Sequence, residues 1–164
     1  MILMPYLIDG HNLIPKVPGL HLGSVDDEMQ LVVLLQEFCR LSRKQVDVYF
    51  DQAPPGQSGK RILGTVTAHF VPTGRTADQA IGQRLGKLGR SARNWTVVSS
   101  DQSVQLSARQ AGAQVMAAEA FARQLREVLV QTGKANSEKV ESNLSPEEVD
   151  EWLDLFHTKG RDSP

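Results

Sequence analysis

Four aspartates occupy positions from which their carboxylates could act together on one ligand. Asp9 ends the first predicted strand, and Asp51 ends the second. Asp78 opens the helix after the third predicted strand, and Asp101 follows the fourth. In a parallel sheet the carboxyl ends of all strands lie on one edge, and ligands bind in the crevice there. We therefore expect the four carboxylates to converge at that edge.

Converging carboxylates favour a hard cation. Like charges that lie close together are unfavourable until protonation or a cation relieves them. No Cys or His belongs to the set, so the ligands are oxygens, which suit Mg²⁺ or Mn²⁺ better than Zn²⁺. We expect the ion to be held by Asp9 and Asp101, with Asp51 or Asp78 acting directly or through water. Such an ion polarises a phosphate oxygen and lowers the pKa of an attacking water.

Helix capping is the alternative for each aspartate taken singly. Asp is a favourable N-cap, and both Asp78 and Asp101 stand at predicted helix starts. Solvent exposure is equally ordinary for a lone aspartate. The placement of all four on one edge nevertheless favours a shared metal site.

The elements that position these residues are those of a parallel α/β fold, because short apolar runs alternate with longer amphipathic ones. The predicted strands are Leu3–Ile8, Gln45–Phe50, Thr65–Val71, Trp95–Ser99 and Gln114–Met116. The predicted helices are Asp26–Leu41, Thr76–Leu88, Asp101–Gln110 and Ala118–Val130. Ser24 is a candidate N-cap, and residues 76–79 fit a capping box. Gln52–Lys60 is rich in Pro and Gly and predicts a loop.

The chain has 164 residues, which predicts one domain with a short C-terminal appendage. Lys134–Asn143 is polar and predicts a linker, and Ser145-Pro146-Glu147 predicts the start of a helix through Phe156. The body is therefore residues 1–135, and the appendage is residues 136–164. The body carries 15 Lys+Arg and 11 Asp+Glu, whereas the appendage carries 3 and 8. A mildly basic body is compatible with a polyanionic partner.

Composition excludes several classes of protein. A single cysteine leaves no intramolecular disulfide and no sign of an oxidising compartment. No apolar run is long enough to cross a bilayer, and residues 1–9 lack the basic leader of a signal peptide. No glycine-rich phosphate loop follows the first strand, which argues against a dinucleotide-binding domain. We expect a cytoplasmic protein with no membrane partner.

Four segments resemble the motifs of NYN domains, which belong to the PIN-like nucleases. Residues 6–14, Tyr-Leu-Ile-Asp-Gly-His-Asn-Leu-Ile, resemble the opening motif, in which apolar residues flank Asp-Gly-x-Asn. Residues 49–51, 76–81 and 97–101 resemble the next three motifs in order. The spacing, and residues 144–147 in the tail, are most similar to the YacP-like branch. The resemblance covers essentially the whole body.

This resemblance implies a three-layer α/β/α fold, PIN-like and flavodoxin-like, with a parallel five-stranded sheet in the order 3-2-1-4-5. It also implies an Mg²⁺-dependent endoribonuclease that cleaves phosphodiester bonds in RNA. By motif matching, the family's acidic positions fall on Asp9, Asp51, Asp78 and Asp101. Asn12 matches the asparagine that braces the first loop, and Ser100 matches the hydroxyl residue before the last acid.

One position departs from the family pattern. Family members often carry a second acid four residues after the third aspartate, where this chain has Gly82. Two functions therefore stay open: the endoribonuclease, and a non-catalytic module of the same fold that binds RNA or a ribonucleoprotein. The intact four aspartates favour the enzyme, and Gly82 favours the module. Association with the ribosome is also open.

Seven cationic residues are candidates for RNA binding, because cations near a phosphate backbone supply most non-specific affinity. Lys60, Arg61 and Arg75 flank the third predicted strand. A second group, on and just after the helix that Asp78 opens, consists of Arg84, Lys87, Arg90 and Arg93. A solvated helix face explains this second group equally well. Arg75 is the strongest candidate, since it lies three residues before Asp78.

Two histidines lie near these motifs. His11 adjoins the first aspartate, but no partner for it is evident, so we predict a loop histidine without a catalytic role. His69 lies in the middle of the third predicted strand, and we predict a structural role for it.

Overall fold

The computed structural model describes residues 4–20, 25–54 and 56–140. Its strands are β1 (Met4–Asp9), β2 (Lys44–Ala53), β3 (Gly59–Leu63), β4 (Val66–Pro72), β5 (Thr96–Val98) and β6 (Gln114–Met116). Its α-helices are α1 (Gly10–Leu13), α2 (Val25–Ser42), α3 (Ala77–Leu88), α4 (Gln102–Gln110) and α5 (Ala118–Val140). Two 3₁₀ helices span Ile14–Lys16 and Gly89–Asn94. In this part of the chain no helix is long and apolar enough to cross a membrane.

All six strands form one mixed sheet in the order β3-β4-β2-β1-β5-β6. The pairs from β4 to β6 are parallel, and β3 alone runs antiparallel, against β4. In register, Ile8 of β1 lies between Val48 of β2 and Val98 of β5. The carboxyl ends of β1, β2 and β5 therefore share one edge, as the positions of the aspartates require.

The predicted parallel sheet of five strands in the order 3-2-1-4-5 is wrong in strand number and order. The missed strand, β3, includes the last two residues of the predicted loop Gln52–Lys60 and lies outside β4 at the edge. Four of its five residues are exposed, and only Leu63 is partly buried. Such a strand is held by backbone pairing, so its sequence lacks the apolar alternation that marks a half-buried strand.

Helices cover both faces of the sheet, which confirms the predicted three-layer arrangement. Consecutive strand residues point to opposite faces. Ile8 therefore packs with Phe38 of α2 and Phe121 of α5, in the larger of two buried clusters. Leu7 lies in the second cluster with Ile81 of α3, and α4 packs beside α3 on that side. The two clusters pack against opposite faces of β1 and so fix the position of the strand end that carries Asp9.

The helix boundaries bear out some local predictions and correct one. The capping box is present: the Thr76 side chain accepts from the Gln79 backbone, and the Gln79 side chain accepts from the Thr76 backbone. Helix α5 continues to Val140, so the first residues of the predicted linker, 134–140, are helical. The predicted cap at Ser24 and the predicted helix 145–156 lie outside the described residues. The division between residues 1–135 and 136–164 stays a prediction.

Candidate active site

Asp9 lies at the carboxyl end of β1, next to the turn into α1, and is only partly exposed. The Ser99 hydroxyl donates to its Oδ2 across 3.4 Å. Burial first, and then the charges of Asp51 and Asp101, raise the pKa of Asp9 to about 6 against opposing hydrogen bonds from the Asn12 backbone and Ser99. Two of the three other predicted aspartates therefore act electrostatically on Asp9.

Gly10 lets the chain turn tightly after Asp9. A Cβ at this position would lie 2.4 Å from the Phe50 ring and 2.8 Å from the Tyr49 carbonyl oxygen. The backbone neighbour cannot move aside cheaply, so only glycine allows the start of α1 to lie this close to β2. The glycine of the Asp-Gly-x-Asn motif thus sets how close the Asp9 and Asp51 strand ends come.

Asp51 is held by His11, the residue that we expected to have no partner. His11 Nδ1 lies 2.7 Å from Asp51 Oδ1, and its Nε2 makes a short hydrogen bond with Glu28 of α2. Hydrogen bonding to Glu28, and then to Asp51, raises the pKa of His11 despite partial burial. The His11 ring therefore bridges two carboxylates. The sequence carried no local sign of this bridge, since the partners lie 17 and 40 residues away.

Asp101 and Asp78 are joined through one serine. Asp101 caps α4, because its Oδ1 accepts from the Ser103 backbone across 2.8 Å. The Ser103 hydroxyl donates to Oδ2 of Asp78, in the first turn of α3, across 2.6 Å. The capping alternative is thus real for Asp101, and it coexists with the electrostatic effect of Asp101 on Asp9.

Asn12 and Ser100 link the loops on the other side of Asp9. The Ser100 backbone donates to Asn12 Oδ1 across 2.7 Å, which ties the β5–α4 loop to α1. The Ser100 hydroxyl donates to Glu119 across 2.6 Å and accepts from the Ala118 backbone, at the start of α5. That hydroxyl, together with Lys16, lowers the pKa of Glu119 to about 2. Glu119 is a further acid at this edge that the sequence did not single out.

The four aspartates offer the oxygen ligands that a hard cation prefers, but their side chains are not arranged around a common point. Within residues 4–20, 25–54 and 56–140, no three His, Cys, Asp or Glu side chains are arranged to hold a metal ion. Asp51 is turned towards His11, and Asp101 towards the α4 backbone. The pKa of Asp9 is raised first by burial and then by the charges of Asp51 and Asp101, and a cation beside these carboxylates would lower it. An ion at this position would be held by oxygen ligands alone.

Four of the seven predicted cations line one cavity of about 460 Å³, which we call the basic groove. It lies between α3 and the β3–β4 hairpin, and its cations are Lys60, Arg75, Arg84 and Lys87. The other three lie elsewhere. The Arg61 guanidinium lies over the Phe70 ring, 5.1 Å from its centroid. Arg90 and Arg93 are exposed on the 3₁₀ helix that leads into β5, at the opposite edge from the aspartates.

A buried aspartate lies beneath the basic groove, and it was not among the predicted site residues. The side chain of Asp47, in β2, is only 6% exposed. Its Oδ2 lies 3.0 Å from His69 Nε2 and 3.9 Å from the Arg84 guanidinium. The His69 ring stacks on Tyr49 with centroids 4.2 Å apart, which supports the structural role predicted for His69. The available signal for Asp47 was its polar side chain between Val46 and Val48, within the second predicted strand.

The family assignment rests on a match that covers most of the chain. The YacP-like NYN domain model matches residues 6–157. The chain belongs to this family. It is similar to the crystal structure of Rae1 (YacP) from Bacillus subtilis, with 24% sequence identity, a TM-score of 0.66, and coverage of 99% of this chain and 96% of that chain. A mutant of the same protein gives 22% identity, a TM-score of 0.68, and coverage of 98% and 99%.

These structural likenesses show the fold alone, because the sequence identities are low. No curated protein matches the chain. Membership of a PIN-like nuclease family points to nuclease chemistry in general terms.

In this YacP-like NYN domain, Gly82 lies in α3 four residues after Asp78. A Cβ added at Gly82 would meet no described atom within 4 Å. The position therefore has room for the acid that the family resemblance leads us to expect there. Packing does not require glycine at this position.

Proposed function

We propose that this protein is a metal-dependent endoribonuclease whose reaction takes place at the edge where Asp9, Asp51, Asp78 and Asp101 lie. The observation that carries the proposal is the environment of Asp9. Its carboxyl group is partly buried at a strand end, and the charges of Asp51 and Asp101 help burial to keep its pKa near 6. Structures tolerate such crowding mainly where function uses it. The family assignment supports a nuclease as the reaction class.

Asp9 and Asp101 would hold Mg²⁺ or Mn²⁺, with Asp51 and Asp78 acting directly or through water. The ion would supply positive charge to a phosphate oxygen and a more acidic bound water. The chain's own groups orient the ligands: Ser99 bonds Asp9, and Ser103 links Asp78 to the cap at Asp101. His11 keeps Asp51 in place and balances its charge when substrate is absent.

The second candidate is a non-catalytic module that binds RNA or a ribonucleoprotein through the same fold. Two observations favour it. Gly82 replaces the family's additional acid, and the carboxylates of Asp51 and Asp101 are engaged by protein partners. Under either function we propose RNA as the macromolecular partner and the cytoplasm as the location, with association with the ribosome still to be tested.

Cleavage assays with single-stranded and structured RNA, in Mg²⁺, in Mn²⁺ and in EDTA, test the proposal. We expect cleavage with either ion, none in EDTA, and none by Asp9→Asn under any condition. Asp9→Asn should still bind RNA, because a negative charge near phosphate has been removed. Binding without cleavage by the wild type in both metals would favour the module. Cleavage by Asp9→Asn at the wild-type rate would refute the aspartate site.

A further inference from the structure

The basic groove has the features of a second RNA contact, separate from the aspartates. We propose that it binds the phosphodiester backbone of single-stranded RNA, away from the bond that is cut. The inference rests on the proposed function only in taking RNA as the ligand. Two features support it: the cations that line both sides of the groove, and the fixed position of the Arg84 guanidinium.

The cations come from both walls of the groove. On α3, the lining residues Ala80, Gln83, Arg84 and Lys87 recur at spacings of three, one and three, which places them on one face of the helix. Lys60 and His69, which pair across β3 and β4, line the opposite wall. A chain lying between the walls would meet positive charge on either side.

These charges are available to a ligand. Lys60 and Lys87 are exposed, and neither forms a salt bridge with any residue in the described ranges. Arg75 makes a hydrogen bond with Gln83, a neutral side chain. The single acid beneath the groove, Asp47, is buried and already bonded to His69. The groove therefore presents a net positive surface.

Arg84 is held in position before any ligand arrives. Its guanidinium lies 5.4 Å from the centroid of the Trp95 ring and 3.9 Å from Asp47. A side chain that is already ordered loses less conformational entropy on binding, so each contact with phosphate contributes more affinity. Asp47 thus acts as a positioning residue for a cation of the groove.

The shape of the groove favours a single strand over a duplex. A cavity of about 460 Å³ between a helix and a hairpin admits one backbone, whereas a duplex would touch only its rim. The groove begins near Arg75, just before α3, and extends along the helix to Lys87. With a rise of about 1.5 Å per residue, Lys87 lies roughly 14 Å along the axis from Asp78. The bound backbone would thus lead away from the reaction site.

A matched pair of double variants tests the proposal. Lys60→Gln with Lys87→Gln removes one charge from each wall. Arg43→Gln with Arg109→Gln removes two exposed charges at the opposite edge of the sheet, outside the groove. The binding of a fluorescent single-stranded RNA is measured by anisotropy over a range of salt concentrations. EDTA in the buffer excludes any contribution from metal-dependent cleavage. Thermal unfolding verifies that each variant is folded.

The groove variant should bind more weakly at low salt, and its slope of log K against log salt should be shallower by about 1.4, or about 0.7 per lost contact. The control should match the wild type. Lys60→Gln and Lys87→Gln singly should each lower the slope by about half as much, and they provide the test if the double variant does not fold.

Equal losses in the groove variant and the control would show diffuse charge attraction and overturn the proposal. It is also overturned if neither variant changes binding, if the wild type binds no RNA, or if the loss appears only with a hairpin duplex. Failure of the proposed endoribonuclease is separate, because it would appear as absent cleavage while the binding slopes still differ.

Discussion

At the scale of single residues, the charge state of Asp9 has a measurable consequence for stability. The folded pKa of about 6 lies above the ordinary value of 3.8, so the native state binds more protons than the unfolded state between these values. The contribution of Asp9 to the free energy of unfolding therefore falls as the pH rises from about 4 to about 6. Asn carries no titrating carboxyl group and escapes this loss.

Asp9→Asn should thus stabilise the metal-free protein at neutral pH by about 1–3 kcal/mol. Below about pH 4 the difference should disappear, because Asp9 is then neutral in both states. Urea unfolding of both proteins in EDTA across this range measures the effect. A variant less stable than the wild type at pH 7 would contradict the crowding of carboxylates on which the proposed function depends.

Mg²⁺ should stabilise the wild type and leave Asp9→Asn nearly unchanged. For an assumed dissociation constant of about 1 mM, raising Mg²⁺ to about 10 mM adds about 1.4 kcal/mol to the free energy of unfolding. For a domain of this size the melting temperature rises by roughly 3–6 °C. Thermal unfolding with and without the ion measures it, and Ca²⁺ serves as a control for a hard cation of different size. No shift in the wild type would remove the physical support for the metal.

His11 predicts a loss of stability with rising pH in a higher pH range than Asp9. His11→Gln leaves Asp51 and Glu28 partly buried without a cationic partner, so we expect a loss of about 1–3 kcal/mol. Because the folded pKa is raised, this stability is fully present below the ordinary value of 6.5 and is lost as the pH rises through the folded value. Unfolding at about pH 6 and about pH 9 compares the two regimes.

A double-mutant cycle with Glu28→Gln isolates the contact from other effects of the His11 substitution. The coupling between the two sites should be favourable at the lower pH and small at the higher one. Equal coupling at both values would mean that His11 bonds Glu28 without acting as a charge. Small coupling at both would leave only its packing on Phe50, whose ring lies 5.6 Å away, centroid to centroid.

At the scale of elements, one face of α3 lines the basic groove and another lies towards α4. One face carries Arg84 and Lys87 into the basic groove, and another presents Asp78 to Ser103 of α4. Gly82 lies one turn after Asp78, so an acid there would project beside it. The helix therefore determines both how substrate could be held and how many carboxylates reach the reaction edge.

Gly82→Glu should raise metal-dependent cleavage under the proposed function, because it places in an open position the acid that the family pattern leads us to expect. Gly86→Glu is the matched control: it adds the same charge one turn later, where an added Cβ likewise meets no described atom. Both substitutions should stabilise α3 by about 0.5–1 kcal/mol, since glycine is unfavourable within a helix. Cleavage assays in Mg²⁺ separate them, and equal activity of the two variants would contradict a special role for position 82.

At the scale of the whole molecule, the basic groove and the acidic tail have opposite charge. Residues 141–164 contain seven Asp or Glu and two Lys or Arg. Ending the chain after Val140 keeps α5 intact, unlike a cut at the predicted boundary after residue 135. We expect the shortened protein to unfold cooperatively and to bind RNA more tightly at low salt, because a competing polyanion is gone.

Calorimetry and RNA anisotropy at two salt concentrations measure both effects of the truncation. The gain in affinity should shrink at high salt, where charges are screened. Loss of the cooperative transition would show that residues 141–164 belong to the core. Unchanged affinity at low salt would exclude competition by the tail.

Elements with local signals could be predicted from the sequence alone. Apolar periodicity located the buried strands and the helices, and residues 76–79 predicted a capping box that is present. The four aspartates were recognisable from their places at strand ends and helix starts. These features depend on burial and hydrogen bonding within a few residues, so they can be read from a short window of sequence.

Pairings between distant residues emerged only from the folded arrangement. His11 found partners 17 and 40 positions away, and Asp47 found His69 in a neighbouring strand. The strand β3 owes its existence to pairing with β4 rather than to its own composition. The run of cations from position 84 to 93 was divided between two edges, because α3 ends and the chain turns at Gly89. Sheet register and helix direction set such relations, and no local pattern encodes them.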